Sequence, residues 1–232
     1  MTRGLAYEWH RVRSLRSTWV LLLAGVAVVL AAGLLWGSKR DLGMMDAYAA
    51  TMGLPVRVAV LLVAALGACA FTTDFQHGTI VATRLVLRRP AVVTAAKAAV
   101  LAALGLLGGL LFASSGLAVV LVAGGSPAGS TTDVVALFGN TVLLSMLAAL
   151  AGLALGGLLR HTAVAVGLFA VWALLAENLL GGLLDVPISL LPLTGTASAF
   201  TVPEAATAPL VLAGLVLVGL LGSAATLARR VA

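Results

Sequence analysis

Charge is what this chain has least of. Only 9% of its 232 residues are Asp, Glu, Lys or Arg, against about a quarter in soluble domains, and 62% are hydrophobic. That balance excludes a soluble globular domain. Cysteine is nearly absent too: Cys69 stands alone in an apolar run, so no intramolecular disulfide forms and the thiol reads as a packing residue. No G-x-x-x-x-G-K-[ST] phosphate loop occurs. The glycine-rich stretch Gly124-Gly125-Ser126-Pro127-Ala128-Gly129-Ser130 has no lysine and reads as a turn-rich loop and not as a nucleotide site. His10, His77 and His161 lie far apart, each without a second ligand at helical spacing, which argues against a metal site. Ser114-Ser115 has no histidine at its depth to act as base, which argues against a serine hydrolase.

What the chain does have is long uncharged runs. A helix crosses a bilayer with about 20 apolar residues. Residues 17–38, 98–132, 134–159 and 205–228 carry no charge, and 47–73 and 161–184 carry one each, Arg57 and Glu177. The expectation is an all-α membrane protein, a single transmembrane domain over 1–232 with six transmembrane helices at about 19–36, 54–73, 98–123, 134–159, 162–184 and 208–228. No separate soluble domain fits beside them. The first run reads as a retained span, because the nearest small-residue cleavage pattern, Ala47-Tyr48-Ala49, lies beyond the charged Lys39-Arg40-Asp41 turn.

The net charge of +6 is organised by position. Eleven of the fourteen basic residues, Arg3, Arg11, Arg13, Arg16, Arg84, Arg88, Arg89, Lys97, Arg160, Arg229 and Arg230, fall on the side of the termini, and Lys39, Arg40 and Arg57 on the other. The positive-inside rule then gives cytoplasmic N and C termini, and the basic excess reads as membrane topology with no nucleic-acid partner. Glycines recur at four-residue spacing at Gly33 and Gly37, Gly105 and Gly109, and Gly152 and Gly156, the pattern of closely packed helix backbones.

Three segments carry polar groups in patterns that a plain bundle does not require. Residues 1–18 mix basic and aromatic side chains, with Glu8, Trp9, Arg11, Arg13 and Arg16 prominent, and form an amphipathic N-terminal helix at the membrane interface, anchoring in lipid or docking a partner. Between spans 2 and 3, Asp74, His77, Gly78, Thr79, Arg84, Arg88 and Arg89 lead to Pro90, which ends a short cytoplasmic helix. That helix contacts either another protein or anionic lipid. Between spans 5 and 6 the apolar chain is broken by Pro187, Pro192 and Pro203, which points to short re-entrant or interfacial helices. Glu177 and Asn178 stand just before it. An intramembrane carboxylate is a functional candidate, and the competing reading is a cap on those broken helices.

These segments resemble the permease subunits of type-2 ATP-binding-cassette (ABC) exporters, especially actinobacterial ones, over nearly the whole chain. Glu8-Trp9 with Arg11, Arg13-Ser14 and Arg16-Ser17-Thr18-Trp19 resembles the basic helix that leads into the first span of that family. His77-Gly78-Thr79-Ile80, with Thr83 and Ala96-Lys97, resembles its coupling segment, and Glu177-Asn178-Leu179-Leu180 with Pro187 and Leu191-Pro192 its fifth span and outer helices. Asp74 replaces the family's usual Glu, Arg84 its Leu, and Arg88-Arg89-Pro90 its Pro-Arg-Arg order.

The resemblance implies a multi-pass protein of the bacterial cytoplasmic membrane, paired with a second permease copy and with an ATP-binding cassette ATPase. The ATPase would hold ATP and Mg, while this chain is no enzyme and binds no cofactor. On that reading Asp74, His77, Gly78, Thr79, Arg84, Arg88 and Arg89 couple to the ATPase, Lys97 anchors the return into the membrane, and Glu177 and Asn178 form an outer gate. The scarcity of polar groups in the spans suits an amphipathic or hydrophobic cargo (drug, antibiotic, peptide or lipid) better than an ion. Two readings compete: a non-transporting polytopic scaffold or sensor, and an intramembrane enzyme.

Overall fold

The computed structural model describes residues 2–37, 45–76, 90–122 and 131–229, and their ordered elements are all helical. The chain runs through α1 (Thr2–Ser14), α2 (Arg16–Gly37), α3 (Met45–Gln76), α4 (Pro90–Val122) and α5 (Thr131–Leu159). A further rod joins α6 (Thr162–Val171), a π-helical turn at Trp172–Ala176 and α7 (Glu177–Leu183). A 3-10 turn at Ile188–Leu190, α8 (Pro192–Thr196) and a second 3-10 turn at Pro203–Ala205 lead into α9 (Ala208–Arg229). The expected coupling residues His77, Gly78, Thr79, Arg84, Arg88 and Arg89 lie outside the described residues, as does the 124–130 loop.

Among the described residues six helices are long and apolar enough to cross a membrane: 16–35, 53–76, 91–119, 131–159, 162–183 and 203–228. They overlay the six low-charge runs, and the differences sit at the edges. The sequence places an interfacial helix over 1–18, but α1 ends at Ser14. Side chains satisfy its last carbonyls: Ser14 Oγ donates to Arg11 O at 2.8 Å and Trp19 Nε1 to Arg13 O at 3.1 Å. At the start of span 3, α4 begins at Pro90 and carries Lys97 inside the apolar segment instead of bounding it.

The middle three spans form the centre. About half of each span segment of α3, α4 and α5 is buried, against roughly a quarter of α2, α6–α7 and α9. Leucines and valines such as Leu35, Leu183, Leu210 and Val218 cover the outside, an apolar surface that a bilayer solvates and water would not. Inside, Phe112 packs with Leu22, Val29 and Val63, while Phe71 packs with Leu101, Leu104 and Leu153.

Glycine permits the tightest contact, between α3 and α5. A methyl group at Gly67 would run into the backbone carbonyl of Ala149, and one at Gly152 into that of Ala64. Gly156 faces Ala68 the same way, and Gly105 and Gly109 of α4 face Met146 and Val142 of α5. Two of the glycine pairs singled out from sequence thus lie on helix contacts, where backbones approach and dispersion replaces a hydrophobic driving force. At the end of α5, Arg160 turns the chain in a left-handed conformation (φ 57°), and its N–H bonds Gly156 O at 3.0 Å.

A Gly152→Ala substitution should therefore destabilise the protein by about 1–3 kcal/mol through overpacking. Gly214→Ala, where an added methyl meets open space, should leave stability unchanged. Thermal midpoints of both variants in a neutral detergent check the difference.

Candidate functional site

Four charged side chains meet inside one end of the bundle. On α1, Glu8 and Arg11 are three residues apart and share a face. Gly4 and Glu8 of that face are buried, while Tyr7, Trp9 and Arg13 point outward. Asp74 comes from the last turns of α3 and Lys97 from the first turns of α4. Lys97 Nζ lies 2.9 Å from Glu8 Oε1 and 2.8 Å from Asp74 Oδ2. Arg11 takes Asp74 bidentately, Nη2 at 2.7 Å from Oδ1 and Nη1 at 3.0 Å from Oδ2, and reaches Glu8 at 3.4 Å and Thr73 Oγ1 at 3.1 Å. The Lys97 side chain is fully buried, and its ammonium also stands 5.5 Å from the centre of the Phe71 ring.

Two carboxylates and two cations cancel. Desolvating a charge costs several kcal/mol, and only close, multiply bonded counter-ions offset it, so each member depends on the other three. The cluster fastens α1 to the two span ends that bracket residues 77–89. The layer continues sideways: Thr162 Oγ1 donates to Thr72 Oγ1 at 2.6 Å, Arg160 stacks 5.0 Å from the Phe75 ring, and Arg160 Nη2 reaches Thr226 O at 3.4 Å. Val12 of α1 and Leu227 of α9 both pack in the apolar cluster that holds Phe71.

The opposite end has a second polar centre. Glu177 is buried, and its carboxylate accepts from Trp172 Nε1 (2.8 Å), Leu193 N (2.8 Å) and Thr194 N (2.6 Å). The π-turn sets this up: residues five apart stack across it, so Trp172 and Glu177 are brought together. The two backbone donors are free N–H groups at the start of α8, the positions a helix leaves unpaired. Beside it, Asn140 of α5 is buried and ties down the chain after α8, with Oδ1 accepting from Phe200 N at 2.9 Å. Asn178 is exposed; its Oδ1 accepts from Arg57 Nη1 at 3.3 Å.

The sites expected from sequence are thus redistributed. Glu8, Arg11 and Asp74 belong to one cluster with Lys97, whereas Trp9, Arg13 and Arg16 stay on the surface. Asp74 faces inward onto α1 and α4. Sequence reasoning missed the union of Glu8, Asp74 and Lys97. The available signal was that Glu8 and Asp74 are the only acids on the eleven-cation side of the chain. Ser114 and Ser115 both donate to Leu111 O within their own helix, a back-bonded arrangement without a base. Among the described residues no three His, Cys, Asp or Glu side chains gather to hold a metal ion.

Set against family models, curated proteins and solved structures, the chain matches none.

Lys97→Met should leave Glu8 and Asp74 sharing one cation and destabilise the protein by about 3–5 kcal/mol. Adding Glu8→Gln, which restores neutrality around the Arg11–Asp74 pair, should recover a large part of that loss. Thermal midpoints of the wild type, Lys97→Met, Glu8→Gln and the double variant close the cycle; equal losses in Lys97→Met and the double variant would refute charge balance as the cause.

Proposed function

We propose that this chain is the membrane-spanning permease subunit of an ABC exporter, moving an amphipathic or hydrophobic cargo outward with ATP hydrolysed on a separate subunit. The observation that carries the reading is the buried charge cluster. It binds the N-terminal helix and the ends of α3 and α4 into one unit, and residues 77–89, between those two ends, resemble the family's coupling segment. A push on that segment reaches α1, α3 and α4 together, because the ion pairs and the Phe71 packing around them leave no compliant joint.

On this reading the charged end faces the cytoplasm, in keeping with the distribution of basic residues. His77, Gly78, Thr79, Arg84, Arg88 and Arg89 meet the ATPase, and Asp74 passes the displacement inward through Arg11 and Lys97. ATP and Mg stay on the partner. The ATPase acts by favouring one of two arrangements of the helices, so its contacts differ between those states. Glu177 braces the outer end by holding the start of α8, and Asn178 links that brace to α3 through Arg57. A second copy of the chain completes the transporter, set in a bacterial cytoplasmic membrane.

Affinity purification in a gentle detergent, followed by intact-complex mass analysis, should return two copies of this chain with two of an ATP-binding protein. Arg88→Glu combined with Arg89→Glu should release the ATPase while the permease pair stays intact. A chain that purifies alone, or an ATPase retained by the double charge reversal, would contradict the assignment.

A further inference from the structure

At the end opposite the charge cluster, α3, α4, α5, α8 and the segment following it line a partly open cavity of about 490 Å³, within the range of about 300–1,000 Å³ that holds drug-sized ligands. Its walls are of two kinds. Phe112, Leu137 and Leu144 give it an apolar side, and Arg57, Thr141 and Ser198 a polar one. Two of its hydroxyls already donate elsewhere, Thr141 to Leu137 O at 3.0 Å and Ser198 to Thr194 O at 3.1 Å. These two offer lone pairs to an incoming group.

The guanidinium of Arg57 is different. One N–H is engaged, at 3.3 Å on the neutral Asn178, and no carboxylate of the described residues is in ion-pair contact with it. The nearby Glu177 has its oxygens on Trp172, Leu193 and Thr194. Arg57 is thus a half-buried cation at an apolar cavity, with forked donors suited to a carboxylate or phosphate. At the charged end, by contrast, each cation of the cluster has its acid.

We propose that this cavity binds an amphipathic anion, an apolar chain ending in a carboxylate or phosphate, with Arg57 as the headgroup contact and the Phe112, Leu137 and Leu144 wall receiving the chain. The cation selects the sign of the headgroup. As a cargo site the assignment rests on the transport reading; as a binding site it stands without an ATPase partner.

Native mass spectrometry of the full chain in neutral maltoside micelles tests it with dodecanoate, dodecyl phosphate, dodecanol and dodecylamine as probes. The wild type should hold one dodecanoate or dodecyl phosphate about tenfold or more tightly than dodecanol or dodecylamine, the scale of a charge-assisted hydrogen bond. Arg57→Gln should abolish that preference. Gly53→Leu supplies a steric test at the same cavity: Gly53 lines it, and an added Cβ there meets nothing within 4 Å, so the larger side chain should weaken all probes while the thermal midpoint stays at the wild-type value.

Added phosphatidylglycerol distinguishes the source of the anion. Arg57-dependent displacement of dodecyl phosphate assigns a membrane lipid headgroup; retention of the probe assigns a free amphiphile, and either result supports the site. Equal binding of dodecanoate and dodecanol, or anion binding unchanged in both variants, would overturn it. Neither result bears on whether an ATPase co-purifies, so failure of the binding site and failure of the transport reading are separable.

Discussion

The neutrality of a cluster of three buried charges and a half-buried fourth is the constraint on which the charged end of this molecule depends. Glu8, Asp74 and Lys97 are buried and Arg11 half-buried, and they come from three helices: remove one, and another is stranded in an environment that does not tolerate it. That dependence explains why α1, a helix with an exposed Trp, Tyr and Arg face, lies against the bundle. Apolar packing through Val12 adds to the contact, but the ion pairs set the register, since only Glu8 and Arg11 together bring one acid to Lys97 and one cation to Asp74.

The two ends are built on different principles. One joins helices by balanced charge, the other by a carboxylate that accepts backbone N–H groups from a proline-broken segment. Both are stiff, and the helices between them are joined by glycine-mediated backbone contact. Motion in such a bundle is carried by whole helices shifting against one another, since close-packed interiors do not deform continuously. Arg57 stands apart from this economy: a cation at an apolar cavity with only a neutral side-chain partner among the described residues.

The six apolar helices were legible because charge is so rare that its positions delimit them, and the proline-broken segment before α9 because prolines cannot continue a helix. Lys97 reads from sequence as a boundary for the same reason, and its pairing was not legible because its partners Glu8 and Asp74 are remote in sequence. Distant ion pairs have no periodicity to betray them. The capping alternative for Glu177 was readable from the broken helices after it, and its hydrogen bonds match a cap. The π-turn that aims it was not, since Trp172–Ala176 differs in no obvious way from ordinary helical sequence.

Amide hydrogen exchange across α1, in lipid nanodiscs, tests most directly whether the charge cluster fastens this helix to the span ends. The account predicts slow exchange over residues 8–14 in the wild type, and fast exchange there in Lys97→Met with α5 still protected. Protection of α1 that is equal in the two proteins, or absent from the wild type, would contradict it.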